Sequence, residues 1–135
     1  MRNPYGNYVV QYVLELKMVE VNKKIGQMLL GSLLKLGMEK FSSNVIEKCL
    51  EHNASDVKEA MVREILSADS FYDFLLDQYG NYVIQKSLSV AVEPYFSEFI
   101  EKLKPDIEKL RYSNDFGAKI CNRLIKQYPQ LSSDS

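Results

Sequence analysis

A seven-residue phrase returns along the chain at a nearly constant interval and constrains the fold more than any other feature. It reads YGNYVVQ at 5–11, FSSNVIE at 41–47, YGNYVIQ at 79–85 and, in a faded copy, FGAKICN at 116–122. The copies start 36, 38 and 37 residues apart. A period of this length is typical of helical solenoids, in which one repeat buries its apolar face only by stacking on its neighbours. The sequence therefore predicts a stack of similar helical repeats.

Apolar residues keep the spacing of one helix face in the copies of this phrase. We number the motif from the third residue of each copy, so position one is Asn7, Ser43, Asn81 or Ala118. The stripe then occupies positions three, four, seven and eight, which lie on one side of a helix. Its residues are Val9, Val10, Val13 and Leu14; Val45, Ile46, Cys49 and Leu50; Val83, Ile84, Ser87 and Leu88; and Ile120, Cys121, Leu124 and Ile125.

Further helices are predicted between these motif helices. The predicted segments are 21–36, 55–66, 71–76, 95–103 and 106–110. The first holds one or two helices, with Gly31 or Gly37 as the break. Pro94 and Pro105 stand just before the last two, where the first turn of a helix tolerates proline. Each period thus holds about three helices, and we predict an all-α fold.

Composition excludes several classes of protein. The 135 residues are 46% hydrophobic and 26% charged, with a net charge of −1, as in one ordinary globular domain. No apolar run is long enough to span a bilayer, and the start of the chain lacks the layout of a secretory signal. Cys49 and Cys121 have no His or Cys partner at metal-binding spacing, which indicates a reducing compartment. We expect a cytoplasmic protein with no membrane contact, no metal and no cofactor.

An enzyme is not expected either. His52 is the single histidine, and no Ser/His/Asp or Cys/His arrangement can be built around it. No glycine-rich phosphate loop occurs in the chain. Because the net charge is close to zero, any nucleic-acid binding must rest on a local face and not on bulk charge.

Polar and aromatic residues recur beside the apolar stripe at motif positions one, two and five. Asn7 and Gln11 are one helical turn apart, so their amides can converge on one small target with Tyr8 beside them. Two amides next to an aromatic ring can grip the edge of a nucleobase while stacking on its plane. One such trio is ordinary helix surface, but its recurrence in register with the core stripe favours a function. The other trios are Asn81, Tyr82 and Gln85, and Ser43, Asn44 and Glu47.

On these phrases the chain resembles the C-terminal part of a Pumilio-type RNA-binding domain of the PUF family. The similarity spans about three of the family's eight repeats and the C-terminal cap. It implies a right-handed α-solenoid, an armadillo-like superhelix of roughly 36-residue, three-helix repeats. The expected division is a partial repeat 1–36, repeats 37–74 and 75–111, a degenerate cap 112–130 and a polar tail 131–135. We expect the chain to be a fragment of a longer solenoid.

The resemblance also implies roles for the trio residues. In the family, motif positions one and five hydrogen-bond the base edge, and position two stacks. The implied base-edge residues are Asn7 and Gln11, Ser43 and Glu47, and Asn81 and Gln85; the implied stacking residues are Tyr8, Asn44 and Tyr82. The Asn/Gln repeats would read uracil, and the repeat with Glu47 would read guanine. Because RNA runs antiparallel to the repeats in this family, the implied core is 5′-UGU-3′, with Tyr82 at the 5′ base.

The chemistry of the bases supports these assignments independently. Guanine offers two adjacent N–H donors, which the acceptor-only carboxylate of Glu47 complements. Uracil alternates acceptor, donor and acceptor, which neutral amides can satisfy. The last copy has Ala118, Lys119 and Asn122 in place of a full trio, and we assign it no base.

Basic residues at motif position six are candidates for phosphate contacts. They are Lys48, Lys86 and Arg123. Solvated charges on an ordinary helix explain them equally well, so both interpretations stay open. One phosphate contact per repeat would give a shallow dependence of RNA binding on salt.

The resemblance finally implies a biological role and partners. The expected ligand is single-stranded RNA carrying UGU elements of mRNA 3′ UTRs, with control of translation and decay through recruited deadenylase or repressor proteins. The first repeat begins at its motif helix, so we expect an open N-terminal edge that could drive self-association. Two other functions stay open: an α-solenoid scaffold for protein partners, and a divergent PUF-like protein with weak sequence preference. A pure scaffold has no reason to repeat Asn, Tyr and Gln at fixed offsets.

Overall fold

The computed structural model describes residues 4–132, without the side chains of residues 4, 5 and 7. Within that range the chain is helical and contains no strand. The helices are α1 (Pro4–Glu15), α2 (Val19–Leu29), α3 (Leu33–Gly37), α4 (Lys40–Glu51), α5 (Ser55–Leu66), α6 (Phe71–Leu76), α7 (Gly80–Val90), α8 (Tyr95–Arg111), α9 (Asp115–Gln127) and a 3-10 helix (Pro129–Leu131). None of these described helices has the length and apolarity needed to cross a membrane.

The chain divides after Val92 into two compact units. The N-terminal unit holds α1 to α7, and the C-terminal unit holds α8, α9 and the 3-10 helix. The division falls inside the segment 75–111 that the sequence predicts as one repeat. The three copies of the motif that carry full trios therefore share the N-terminal unit.

The N-terminal unit is built on a row of motif helices, in which α4 packs against α1 on one side and α7 on the other. A second row is formed by α2 and α5, and the short helices α3 and α6 pack on α4 and α7. The predicted apolar stripe lies between the rows: Val45, Ile46, Cys49 and Leu50 are completely buried. Burying each large apolar side chain contributes about 1.5–3 kcal/mol, so the stripe is the main source of cohesion.

Motif position three shows how successive repeats stack. Val45 and Val83 are 0% exposed, whereas Val9 at the same position of α1 is 61% exposed. Position three is thus buried between neighbouring repeats, and α1 presents its own copy of that surface to solvent. Other large apolar side chains of α1 and α2 are exposed as well: Tyr12, Val19, Val21 and Met28.

Polar groups fix neighbouring repeats to each other where helices end. The Asn22 Nδ2 atom donates to the Leu14 carbonyl at 3.0 Å and to the His52 carbonyl at 2.6 Å, which joins the C-terminal ends of α1 and α4. The Glu64 carboxylate on α5 accepts hydrogen bonds from the N–H groups of Gly31 and Leu33. Because helix ends leave backbone groups unpaired, these side chains both satisfy the backbone and set the packing of the repeats.

The predicted break in segment 21–36 is at Gly31, between α2 and α3. Gly31 has a φ of 92°, a conformation that suits glycine because other residues carry a Cβ that crowds it. Gly37 instead ends α3. The helices predicted at 55–66 and 71–76 are confirmed with the same bounds.

The prediction of separate helices at 95–103 and 106–110 is wrong, because α8 continues through Pro105. A proline inside a helix removes one backbone hydrogen bond and costs about 3 kcal/mol. The apolar stripe runs on past it: Leu103 before the proline and Ile107 and Leu110 after it are buried. Burial of those side chains on one continuous helix offsets the cost, and Pro105 itself is exposed.

The C-terminal unit carries the faded motif copy on α9. The Asn114 side chain caps this helix by accepting a hydrogen bond from the Gly117 N–H at 2.7 Å. Ile120, Cys121 and Leu124 are buried, so the apolar stripe survives where the polar pattern has faded. In the same unit the rings of Phe96 and Tyr128 pack against each other, with their centroids 6.0 Å apart.

Candidate nucleic-acid interface

The loop before α7 shows how the phrase sets the start of a motif helix. The Asp77 Oδ2 atom accepts hydrogen bonds from the N–H groups of Tyr79 and Gly80, at 2.9 and 2.8 Å. Gly80 lies so close to the carbonyl oxygen of Phe74 that a Cβ at this position would collide with it. The glycine of the phrase is therefore needed where α7 meets α6.

The middle copy makes the same junction with a serine. Ser42 is buried, and its hydroxyl donates its one hydrogen to the Leu36 carbonyl, 2.6 Å from Oγ, with the Glu39 carboxylate further away at 3.1 Å. Leu36 is the counterpart of Phe74 in the preceding repeat. The Ser42 hydroxyl thus hydrogen-bonds the Leu36 carbonyl of α3. In the next repeat, the equivalent carbonyl of Phe74 is covered by the close approach of Gly80.

Motif position two projects from the row of motif helices. Tyr8 on α1 is 62% exposed and Tyr82 on α7 is 46% exposed, and Asn44 on α4 is exposed between them. Stacking on a base requires an accessible side-chain face, which all three residues have. The stacking role itself stays a prediction.

Motif position one lies deeper than its helical spacing suggests. Ser43 is 2% exposed and Asn81 is fully buried. The Ser43 Oγ atom donates to the Lys40 carbonyl at 3.0 Å. The Asn81 Nδ2 atom donates to the carbonyls of Asp77 and Gln78, at 2.8 and 3.1 Å. Both side chains are therefore hydrogen-bonded to the turn at the start of their own helix.

Asn81 also orients the side chain at motif position five. The Gln85 Nε2 atom donates to the Asn81 Oδ1 atom at 3.0 Å. This bond turns the nitrogen of the Gln85 amide towards Asn81 and its carbonyl oxygen away from it. A carbonyl oxygen accepts hydrogen bonds, so it complements the N3–H donor of uracil. In α1 the same pairing would involve Asn7, whose side chain lies outside the described residues.

A cavity of about 230 Å³ opens where α1, α4 and α7 adjoin. Its lining residues are Gln11, Asn44, Glu47, Lys48, Glu51 and Lys86. The middle repeat contributes Asn44, Glu47 and Lys48, at motif positions two, five and six. The preceding repeat contributes Gln11 at position five, and the following repeat contributes Lys86 at position six. The sequence predicts each repeat as a separate reader, whereas the structure shows neighbouring repeats sharing one pocket.

Charges of both signs line this cavity. Glu47 and Glu51 supply two carboxylates, and Lys48 and Lys86 supply two ammonium groups. Burial raises the pKa of the Glu47 carboxyl; Lys86 and then Lys48 oppose that rise, and Glu51 adds to it. A charged Glu47 can accept from two adjacent N–H donors and can donate to nothing.

The lysines at motif position six have carboxylate partners in the preceding repeat. The Lys48 Nζ atom is 2.7 Å from Glu15 Oε1, and the Lys86 Nζ atom is 3.5 Å from Glu51 Oε2. These ion pairs tie α4 to α1 and α7 to α4, a role that the sequence did not suggest. A phosphate bound by either lysine would compete with its carboxylate partner.

Sequence reasoning did not single out Glu15 and Glu51. Both stand at motif position nine, eight residues after Asn7 and Ser43. Aligning the copies would have shown, for the first two of them, an acidic position nine followed by a basic position six in the next copy. That pattern is the available signal for an ion pair between repeats.

Three segments of the chain match a family model. Residues 1–16, 32–66 and 70–103, more than half of the chain, match the model described as the Pumilio-family RNA binding repeat. The chain belongs to the Pumilio family.

Its Pumilio relatives are much longer proteins. Pumilio homolog 12 of Arabidopsis thaliana is 36% identical over 123 residues, which are 91% of this chain and 20% of that protein. A Pumilio domain-containing protein of Schizosaccharomyces pombe is 33% identical over 129 residues, 96% of this chain and 19% of that protein. The crystal structure of PUF-8 in complex with PBE-RNA superimposes with a TM-score of 0.81 at 34% identity, covering 94% of this chain and 38% of that chain. The chain therefore has the all-α solenoid fold of the family. It spans about a fifth of the length of the Arabidopsis thaliana and Schizosaccharomyces pombe relatives.

The last Pumilio motif copy carries different side chains at motif positions one, two and five from the other copies. On α9, Ala118 is half-buried while Lys119 and Asn122 are exposed, and the family match ends before them, at residue 103. That this copy reads no base stays a prediction. Arg123 is exposed on α9 and remains a candidate phosphate contact.

A larger hollow of about 360 Å³ lies at the C-terminal ends of α1 and α4, away from the trio residues. It is lined by Lys17, Val19, Asn22, Glu51, His52, Asn53 and Ala54. Its amide donors are used internally, since Asn22 bonds the ends of α1 and α4 and Asn53 Nδ2 donates to the Asn22 carbonyl at 2.7 Å. This hollow lies where two Pumilio repeats pack together. The trio residues instead meet in the smaller cavity between α1, α4 and α7.

Proposed function

We propose that this Pumilio chain binds single-stranded RNA and reads a 5′-UGU-3′ core with one base per motif helix. The observation that carries the proposal is the cavity between α1, α4 and α7, where Glu47 faces a hollow shared with Asn44 and with Gln11 of the preceding repeat. The similarity to PUF-8, whose crystal structure contains RNA, supports RNA as the ligand class.

The middle base is assigned to the repeat of α4. The Glu47 carboxylate accepts the two adjacent N–H donors of guanine, and Asn44 covers one face of the base. Ser43 is a base-edge residue in this proposal only if its hydroxyl leaves the Lys40 carbonyl, because it is buried in that hydrogen bond. Because the Ser43 side chain is small, the space beside Glu47 remains open to the ligand.

The flanking uracils are assigned to α1 and α7. On α7, the Gln85 carbonyl oxygen accepts the N3–H of uracil and Tyr82 stacks on the base, while Asn81 holds the Gln85 amide in register. Direct contact by Asn81 would require exchange of its bonds to Asp77 and Gln78. Asn7, Gln11 and Tyr8 perform the same roles on α1.

The biological role follows from the family. A UGU element in an mRNA 3′ UTR would bring the protein to its targets in the cytoplasm, where recruited deadenylase or repressor proteins would lower translation and shorten mRNA lifetime. This part of the proposal rests on membership of the Pumilio family alone.

A double substitution tests the edge-reading mechanism. Ser43→Asn with Glu47→Gln converts the middle trio into the form of its neighbours, so the middle preference should move from guanine to uracil. Binding of labelled oligomers with UGU and UUU cores, measured by fluorescence anisotropy, gives the ratio of affinities for wild type and variant. Each good base contact is worth about 1–3 kcal/mol, so we expect the ratio to change by about tenfold or more.

The control is Glu59→Gln, which neutralises an exposed carboxylate on α5 outside the cavity. It should leave the UGU-to-UUU ratio unchanged. A double variant that still prefers UGU to the wild-type degree would show that Glu47 does not read the middle base. Equal binding of both oligomers by the wild type would favour a PUF-like protein with weak sequence preference.

One observation favours a second function, a scaffold for protein partners. Large apolar side chains are exposed on α1 and α2, including Val9, Val19 and Met28. Exposed apolar clusters often mark protein-binding surfaces. The scaffold function predicts that charge substitutions on this face abolish partner binding and leave RNA affinity intact.

A further inference from the structure

Lys86 belongs to the following repeat, yet it lines the same cavity as Glu47. Its Nζ atom on α7 is 3.5 Å from the Oε2 atom of Glu51 on α4. Glu47 and Glu51 are i, i+4 neighbours, so they lie on one face of α4 a single turn apart. A cation held at Glu51 is therefore also close to Glu47.

We propose that Lys86 is a positioning residue for the guanine pocket: held by Glu51, it keeps the Glu47 carboxylate charged, so that one repeat sets the base preference of the repeat before it. The inference rests on the proposed function, because it concerns the pocket assigned to the middle base. It adds a specificity determinant at motif position six, outside the trio.

Desolvation is the reason that Glu47 needs a cation. Burial in the cavity disfavours the ionised carboxylate and raises its pKa, and the neighbouring charge of Glu51 raises it further. Lys86 is the strongest of the charges that oppose this rise, ahead of Lys48. Lys48 is itself tied to Glu15 of α1 at 2.7 Å, which draws its charge towards the preceding repeat.

The charges that set the ionisation of the Glu47 carboxyl come from α4 and α7. The helices packed on α4 are α1, α2, α3, α5 and α7. Among the described residues, the charges that act on the Glu47 carboxyl are those of Lys48 and Glu51 on its own helix and Lys86 on α7. His52, which directly follows α4, is 4.0 Å from Glu51.

The sign of the effect follows from these charges. Without Lys86 the pKa of Glu47 rises, so the carboxyl takes up a proton at a higher pH than in the wild type. A protonated carboxyl carries one donor and one acceptor, like an amide, and it accepts uracil while losing one of its two bonds to guanine. As the pH decreases, guanine preference should therefore fall at a higher pH in a protein that lacks Lys86 than in the wild type.

The test compares Lys86→Met with Lys86→Arg across pH. Anisotropy titrations with UGU and UUU oligomers at pH 5.5, 6.5 and 8 give the guanine-to-uracil preference at each pH. For Lys86→Met we expect the preference to fall further towards low pH than in the wild type, because the Glu47 carboxyl takes up its proton at a higher pH without the neighbouring ammonium. Lys86→Arg should restore the pH profile of the wild type.

The matched control is Lys23→Met, which removes another ion pair between repeats. Lys23 Nζ is 3.6 Å from Asp56 Oδ2, between α2 and α5 and away from the cavity. This variant should keep the wild-type preference at every pH. Thermal unfolding of each variant by circular dichroism confirms that the compared proteins are folded.

A second readout needs no RNA. The side-chain carboxyl carbon of Glu47, followed by carbon-13 NMR, gives the pH midpoint of its titration directly. The midpoint should lie at a higher pH in Lys86→Met than in the wild type and return to the wild-type value in Lys86→Arg.

The outcomes separate this inference from the proposed function. A uniform loss of affinity for both oligomers at all pH values, with the Glu47 midpoint unmoved, would overturn it and identify Lys86 as a phosphate contact. Absence of any guanine preference in the wild type would overturn the proposed function instead. In that case the NMR midpoint still decides whether Lys86 controls the charge of Glu47.

Discussion

At the scale of single residues, motif positions two and five lie where helical periodicity predicts and position one does not. The accessible side chains Tyr8 and Tyr82 follow from their angle to the apolar stripe. The burial of Asn81 does not, because it depends on hydrogen bonds to Asp77 and Gln78 in the preceding loop. A helical wheel places side chains around one axis and contains no information about the turn that leads into the helix.

The contact between Gly80 and Phe74 gives a residue-scale prediction. Gly80→Ala places a methyl group against the Phe74 carbonyl, so α7 must shift away from α6. Such overpacking costs about 1–3 kcal/mol, and alanine's better helix propensity returns at most about 1 kcal/mol of it. Urea unfolding should show a lower free energy of unfolding for Gly80→Ala than for the wild type.

The control for this variant is Ser89→Ala on the same helix, where the side chain is exposed. It changes helix propensity without adding atoms to a contact. Its free energy of unfolding should stay within about 0.5 kcal/mol of the wild type, as is usual for surface substitutions. A Gly80→Ala protein as stable as Ser89→Ala would show that the close approach to Phe74 is not required.

At the scale of elements, sequence signals worked where local chemistry and packing agree. The bounds of α5 and α6 follow from their flanking polar residues and apolar spacing, and Gly31 marks the break between α2 and α3. They failed at Pro105, where local chemistry favours a helix start but the buried stripe of α8 continues through it. Tertiary packing decided that case, and a single sequence does not show which neighbour will cover the stripe.

The ion pairs between motif helices belong to this scale too. Glu15 with Lys48 and Glu51 with Lys86 repeat the same connection from one helix to the next. Neither pair is visible from the polarity of one helix, because the partners are more than thirty residues apart in sequence. Exposed pairs of this kind add at most about 1 kcal/mol each, so we assign them to positioning and not to stability.

At the scale of the whole molecule, the exposed apolar face of α1 and α2 predicts self-association. Val9 occupies the position that is buried between repeats at Val45 and Val83, so a second copy can cover it as a neighbouring repeat would. Multi-angle light scattering should show a mass that rises with protein concentration. The double variant Val9→Glu with Met28→Glu should remain monomeric over the same range.

The control for that measurement is Val92→Glu, another exposed valine, which follows α7. It should associate like the wild type, since it adds a charge away from α1 and α2. A wild-type mass that stays monomeric at every concentration would show that this face needs no partner.

The central claim is that the motif helices read successive bases by hydrogen-bond complementarity, and competition binding of short RNAs tests it most directly. Unlabelled oligomers in which each position of the UGU core is changed in turn would displace a labelled UGU oligomer from the unmodified chain. We predict that UGU competes best and that changing the middle guanine to uracil or adenine weakens competition by about tenfold, the effect of one lost base contact. Equal competition by all these RNAs would contradict the account.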